Sequence, residues 1–271
     1  MSKPATRQQR RLGATITGSG ERVIVFGNGH GTSQATWRHV TESLKDRARI
    51  VRFDNVDSPL APPGAYVAEA YGSLFAYVDD LVELLDEMDL RDVLFVGHSI
   101  SGIIGLLAAI AAPERIGRLA LICSCPRYLD DVDFRAGFSR DAIEALLAGA
   151  QNDFVTWAHQ FAIDAIGPDA TAAQAAEYSS LLAAIRPDIA LRTLQMVFYA
   201  DFRAPLPRVT QPVWVLHSLV DVAVPVTAGE YLAQQLPNAT LVRLKAHGHL
   251  PHLTAPDEVA QILHHVLDSW T

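Results

Sequence analysis

The chain is 271 residues long, 49% hydrophobic and 19% charged, with a net charge of −8. That length holds one large α/β domain or two small ones, and the composition excludes collagen-like and low-complexity chains. The acidic balance leaves no electrostatic footprint for nucleic acid or anionic lipid, and the two cysteines, Cys123 and Cys125, cannot build a disulfide framework.

Cys123 and Cys125 read as neighbours on one strand face, too close in sequence for easy bridging, which fits a reduced, cytoplasmic setting. Residues 1–11 are rich in Arg and Gln and lack the apolar run of a secretory signal, so they read as a flexible tail before a domain spanning 12–271. Short apolar runs then recur at 23–26, 49–53, 93–96, 119–123, 213–216 and 241–244, the signature of strands covered on both faces. Helical patterns lie between them. Phe75, Val78, Leu81, Val82, Leu85 and Met88 recur at steps of three and four, with Asp79, Asp80, Glu83, Asp86 and Glu87 on the opposite face. The last helix repeats this spacing from Val259 to Trp270; Pro256 and Asp257 suit its first turn, and Thr254 is a candidate cap. Alternation of strand and helix implies an α/β fold, a mostly parallel central sheet with helices on both faces. From 127 to 203 the alternation stops. Helical segments at 140–150, 153–166, 172–185 and 187–199 follow one another without a strand, too much helix for one crossover, and read as a four-helix cap inserted over the sheet.

Between Asp92 and Glu114 there is no charged side chain, a run long enough to span a bilayer. Its centre argues otherwise. Gly97-His98-Ser99-Ile100-Ser101-Gly102 follows an apolar strand and precedes an apolar helix. A sharp strand-to-helix turn exposes a serine Oγ above the sheet, with the free N–H groups of the helix start aimed at the reacting centre. The usual pattern is G-x-S-x-G; here Ser101 holds the fifth position. Ser99 is the candidate nucleophile, and no membrane association is expected.

A serine hydroxyl needs a base. His247, His249 and His252 follow the run at 241–244, and Gly248 permits the turn that drops the imidazole of His249 into the site. His247 and His252 then read as loop-packing residues. No H-E-x-x-H pattern accompanies them, so neither a metal nor a cofactor is expected. Asp221 is the only acid between Asp201 and Glu230 and follows the run at 213–216, which makes it the carboxylate orienting the imidazole. The order Ser99, Asp221, His249 is that of α/β-hydrolases. An oxyanion hole needs two backbone N–H groups. Ile100, after the nucleophile, supplies one; His30, in the loop Gly27-Asn28-Gly29-His30-Gly31, supplies the other. The side chain of His30 either touches substrate or lines the entrance, and Asn28 braces the loop.

With these residues placed, the chain resembles the α/β-hydrolase superfamily, and within it the plant strigolactone and karrikin receptor hydrolases and their bacterial stress-response relative. The matching pieces include Gly29-His30-Gly31-Thr32-Ser33, Phe53-Asp54-Asn55, Val96-Gly97-His98-Ser99-Ile100-Ser101, Pro126-Arg127-Tyr128, Arg186-Pro187-Asp188, Ala223-Val224-Pro225 and Gly248-His249-Leu250-Pro251-His252. The resemblance runs from about Leu12 to Trp270. It implies a deep apolar pocket beneath the cap, with wall positions at Phe138, Leu146, Trp157, Phe161, Tyr178, Phe198 and Val222. Two places depart from the family pattern: His30 stands where the relatives carry an aromatic, and Asp57-Ser58-Pro59 replaces a Gly-rich turn. The implied activity is cleavage of a small apolar ester or lactone, butenolide-like, through an acyl-enzyme. Two alternatives share the triad: a ligand sensor signalling through a protein partner, and a C–C bond hydrolase. Dehalogenases and epoxide hydrolases are disfavoured, because those relatives carry Asp where Ser99 stands.

Overall fold

The computed structural model describes residues 4–135 and 137–270. Residues 1–3 of the expected tail, Ala136 within the cap segment and Thr271 lie outside the described residues. In chain order the elements are α1 (Arg7–Arg11), β1 (Thr15–Thr17), β2 (Arg22–Gly27), α2 (Arg38–Leu44), β3 (Ala48–Arg52), α3 (Phe75–Glu87), β4 (Val93–His98), α4 (Ile100–Ala111) and β5 (Ile116–Ile122). The cap follows as α5 (Arg140–Asn152), α6 (Phe154–Ile166), α7 (Ala172–Ala183) and α8 (Pro187–Tyr199). The chain then completes the sheet with β6 (Val213–His217), α9 (Val226–Gln235), β7 (Ala239–Arg243), α10 (Pro251–Thr254) and α11 (Pro256–Asp268).

Among the described residues seven strands form one sheet in the order β1-β3-β2-β4-β5-β6-β7, all parallel except β1, which pairs antiparallel with β3. Alternate side chains of the central strands β2, β4 and β5 enter two separate cores. Val25, Phe95, Leu119 and Leu121 meet α3, α4, α9 and the cap, whereas Ile24, Phe26, Leu94, Val96, Ala120 and Ile122 meet α2 and α11. This period of two, with both faces apolar, is why the strand runs carry almost no polar residue. Each large side chain so buried contributes about 1.5–3 kcal/mol relative to exposure.

The uncharged run divides into a fully buried strand, a turn and a 12-residue helix. Among the described residues no helix is long and apolar enough to cross a membrane.

The cap leaves the sheet after Pro126 and returns at Phe202, whose N–H donates to the Pro126 carbonyl at 2.9 Å. Arg127 and Asp201 form a bridge there, and Arg203 reaches Asp131 at 2.6 Å and Asp201 at 2.8 Å. At the far side the cap is tied down by a bidentate Arg38–Glu177 pair at 2.6 and 2.7 Å.

Three readings of the sequence are corrected. The segment expected to be a flexible tail is ordered from Arg7 onward. Thr6 and Gln9 form a capping box, Gln8 is fully buried with its amide on Asp80 of α3, and Leu12 enters the core. The Arg- and Gln-rich composition is a docking surface for the acidic face of α3. Thr254 caps nothing: it belongs to α10, and α11 begins after Ala255 without a side-chain cap. Cys123 and Cys125 are buried but do not share a strand face, because β5 ends at Ile122 and Cys123 turns to φ 49°. Edge strand β1 was not legible, since its three residues are all exposed and have no apolar pattern.

Candidate active site

The site sits at the C-terminal ends of the parallel strands, beneath the cap. Ser99 occupies the step between β4 and α4 with φ 54° and ψ −122°, a left-handed conformation that costs a non-glycine residue on the order of 1–3 kcal/mol. The turn closes only because its first residue has no side chain: a Cβ at Gly97 would lie 2.5 Å from the Gly102 nitrogen. The result lifts Oγ off the sheet and leaves Ile100 at the helix start, where backbone N–H groups have no intrahelical acceptor.

Ser101, the departure from G-x-S-x-G, has a structural task. Its hydroxyl donates to the Asn28 carbonyl at 2.6 Å and accepts from Asn55 Nδ2 at 3.0 Å, while Asn55 also donates to that carbonyl at 2.9 Å. Asn28 in turn donates to the Thr32 carbonyl at 2.9 Å. These bonds fasten the His30 loop to the nucleophile turn.

His249 lies between the serine and the acid. Its Nε2 is 3.0 Å from Ser99 Oγ and its Nδ1 is 2.7 Å from Asp221 Oδ2. A carboxylate only accepts, so Nδ1 carries the proton and Nε2 is free to accept from the serine hydroxyl. The second Asp221 oxygen accepts from the N–H groups of Ala223 at 2.8 Å and Val224 at 3.0 Å. Burial alone would raise the Asp221 carboxyl; the neighbouring imidazole and the Val224 N–H outweigh it and hold the acid below the ordinary carboxylate range.

The imidazole is aimed by backbone. Gly248 has φ +91°, and a Cβ there would fall 2.0 Å from the Ile166 carbonyl oxygen. Gly248 N–H donates to Val220 at 2.7 Å and His249 N–H to Ala165 at 2.7 Å, so the base is held from one side by the acid loop and from the other by cap helix α6. Glu258, in the first turn of α11, accepts from the N–H groups of Lys245 and Ala246 at 2.8 and 3.2 Å and anchors the same loop.

The three clustered histidines have three different environments. His247 Nδ1 pairs with Asp169 at 2.9 Å. His252 stacks on Trp37 at 4.2 Å with its Nε2 3.3 Å from Thr36 Oγ1. Burial and the nearby His249 push His252 down to about 3, so it stays neutral. The donor atoms of Cys123, Asp221 and His249 lie within 4.8 Å of one another. That cluster is a poor cation cage, because Asp221 and His249 already bind each other and burial holds the Cys123 thiol protonated.

A cavity of about 50 Å³ covers Ser99. Its walls include His30, Ile100, Tyr128, Phe138, Phe161, Tyr178, Leu194, Val197, Phe198 and Ala223. Of the wall positions implied by the resemblance, the structure brings Phe138, Phe161, Tyr178 and Phe198 to this cavity. Trp157 stands one layer out, stacked on Phe161 at 5.1 Å, and Leu146 packs into the cap core without reaching the cavity. Val222 is 55% exposed: the Asp221 turn folds its side chain outward and presents Ala223 instead. Tyr128, Leu194 and Val197 were not picked from the sequence. Tyr128 lies in the irregular cap entry, and Leu194 and Val197 look like ordinary α8 core positions until the helix is placed. A larger cleft of about 180 Å³ lies between Pro59, Tyr66 and Arg186 and contains none of the triad residues.

Fold and site together define a hydrolase of the α/β type, with a Ser-His-Asp triad at the strand ends. Residues 24–262 match the model of the alpha/beta hydrolase family, and the chain belongs to that family. It is 37% identical over 249 residues to a karrikin insensitive 2 receptor from Petunia hybrida, covering 92% of each chain. It is 36% identical over 257 residues to a strigolactone esterase from Arabidopsis thaliana, covering 94% of this chain and 96% of that one. Among solved structures it superposes on a hydrolase from Oleispira antarctica with a TM-score of 0.93 at 28% identity, covering 97% of both chains.

Proposed function

We propose that the protein hydrolyses a small, largely apolar carboxylic ester or lactone through an acyl-enzyme. The observation that carries this reading is the unbroken chain Ser99 Oγ, His249 Nε2, His249 Nδ1, Asp221 Oδ2 at 3.0 and 2.7 Å. Ser99 Oγ attacks the carbonyl carbon while His249 Nε2 takes its proton, and Asp221 steadies the imidazolium. The backbone N–H groups of Ile100 and His30 receive the oxyanion. Collapse of the tetrahedral intermediate expels the alcohol, which takes the proton from His249. Water, deprotonated by the same imidazole, then attacks the acyl-enzyme, releasing the acid and restoring Ser99. The chemistry requires no metal or cofactor.

The wall supports an apolar acyl group: Phe138, Phe161, Tyr178, Leu194, Val197 and Phe198 surround the serine. A volume of about 50 Å³ has room for roughly three or four water-sized groups, which favours a short acyl chain or a small lactone ring. Similarity to proteins named as strigolactone esterase and probable esterase supports the same bond type. Ser99→Ala is the test. Turnover of p-nitrophenyl acetate and of a fluorogenic butenolide should fall by at least about 10⁴-fold in a folded variant, and undiminished turnover sinks the assignment.

A second reading, a ligand sensor that signals through a protein partner, is favoured by the similarity to karrikin insensitive 2 receptors. It calls for slow turnover together with ligand-dependent capture of a partner. Fast multiple turnover with no ligand-dependent change in association decides against it.

A further inference from the structure

We infer that His30 and Asp57 form a substrate-reading pair, and that the acyl or lactone part of the substrate carries a hydroxyl (or N–H) group within a few bonds of the scissile carbonyl. This rests on the hydrolytic reading of Ser99 given above.

Two polar residues from separate loops meet in space. His30 Nδ1 lies 3.3 Å from Asp57 Oδ2, with the side chains only 14% and 7% exposed. The histidine lines the cavity over Ser99, whereas Asp57 lines the neighbouring 180 Å³ cleft, so the carboxylate backs the ring from outside the reaction chamber. The other ring nitrogen, Nε2, is buried, and among the described residues it has no hydrogen-bond partner. Beside Phe138, Phe161, Leu194 and Phe198 in the same wall, a buried polar atom without a partner is an unfavourable arrangement.

The backing carboxylate sets the polarity of the other nitrogen. Asp57 can only accept, so it holds the proton on Nδ1 and leaves a lone pair on Nε2. With the ring neutral, the unpartnered nitrogen of this cavity-lining residue is an acceptor, and the substrate group that complements it is a donor. A hydroxyl suits it; a bare methylene leaves it unsatisfied. The position along the substrate follows from the backbone. The N–H of His30 is one of the two proposed oxyanion donors, so its own short side chain reaches only a few bonds from the reacting carbonyl. The oxyanion donor and the reader belong to one residue, which fixes their separation.

The experiment compares kcat/KM for ethyl 3-hydroxybutyrate and ethyl butyrate, followed by acid release at constant pH, in the wild type, His30→Phe and Asp57→Asn. The wild type is expected to favour the hydroxy ester by about tenfold, the discrimination of one well-placed hydrogen bond. His30→Phe keeps the backbone N–H and is expected to bring the ratio to about one. Asp57→Asn frees the proton to move to Nε2 and is expected to bring the ratio to one or below. Each variant is its own reference, because loss of folded enzyme lowers both rates together and leaves the ratio unmoved. A wild-type ratio of one or less overturns the inference, as does a tenfold ratio that survives in both variants, or failure of the wild type to turn over either ester. Ser99→Ala assayed on p-nitrophenyl acetate keeps the nucleophile separate: if that variant retains turnover, it is the reading of Ser99 that fails.

Discussion

Acid should destabilise this protein well before its carboxylates titrate in bulk, and His252 allows the size of the effect to be worked out. Its imidazole is fully buried, stacked on Trp37, with His98 at 4.4 Å between ring centres and His249 nearby. Burial first and His249 second lower it from the usual 6.5 to about 3. The unfolded chain takes up a proton there as the pH falls past 6.5, and the folded chain only near 3. Between those values the unfolded state binds more protons, so stability falls as pH falls. From pH 7 to pH 4 the unfolded state gains about 2.5 pH units of protonation that the folded state lacks, which at 1.36 kcal/mol per unit is about 3 kcal/mol. That is a large share of the roughly 5–15 kcal/mol that holds a domain together. His98, also fully buried and shifted down by burial, adds in the same direction. The assay is denaturant unfolding from pH 7 to pH 4 in the wild type and in His252→Phe. The phenyl ring keeps the stack on Trp37, and Thr36 Oγ1 retains its bond to the Ser33 carbonyl at 2.8 Å. The carboxylate contribution is common to both proteins and drops out of the difference. Identical pH slopes in the two, or an NMR titration of His252 near 6.5, would refute the reasoning.

Asp221→Asn should keep the fold and lower kcat by about 10³–10⁴-fold, since an amide no longer fixes the proton on Nδ1; circular dichroism with steady-state kinetics checks both halves. Gly248→Ala should cost about 2–5 kcal/mol by thermal or denaturant melting and abolish hydrolysis, because its Cβ meets the Ile166 carbonyl at 2.0 Å on a backbone with φ +91°. Val222→Thr should leave kcat/KM within about twofold, as expected for an exposed side chain outside the cavity; a larger change would return Val222 to the pocket wall.

The sequence by itself determined six strands of the sheet, the cap helices and the triad candidates, because each rests on short-range rules. A strand covered on both faces must be apolar at successive positions, as 93–96 is, and an amphipathic helix must repeat at three and four, as 75–87 does. The nucleophile turn is a local feature for the same reason: Gly97, Ser99 and the helix that follows are contiguous. The acid and the base were legible because few residues of the right type follow the last strands, although their meeting with Ser99 spans 150 residues of sequence in the bond from His249. Only the tertiary structure decided what depends on distance. Periodicity cannot tell a residue facing a neighbouring helix from one facing a cavity, so Leu146, Trp157 and Val222 could not be separated from Phe161, Tyr178 and Phe198. An Arg- and Gln-rich segment reads as tail until the acidic face of α3 is seen beneath it. His30 and Asp57, 27 residues apart in two loops without pattern, become a pair only when β2 and β3 lie side by side in the sheet and carry their loops to the same edge of the pocket.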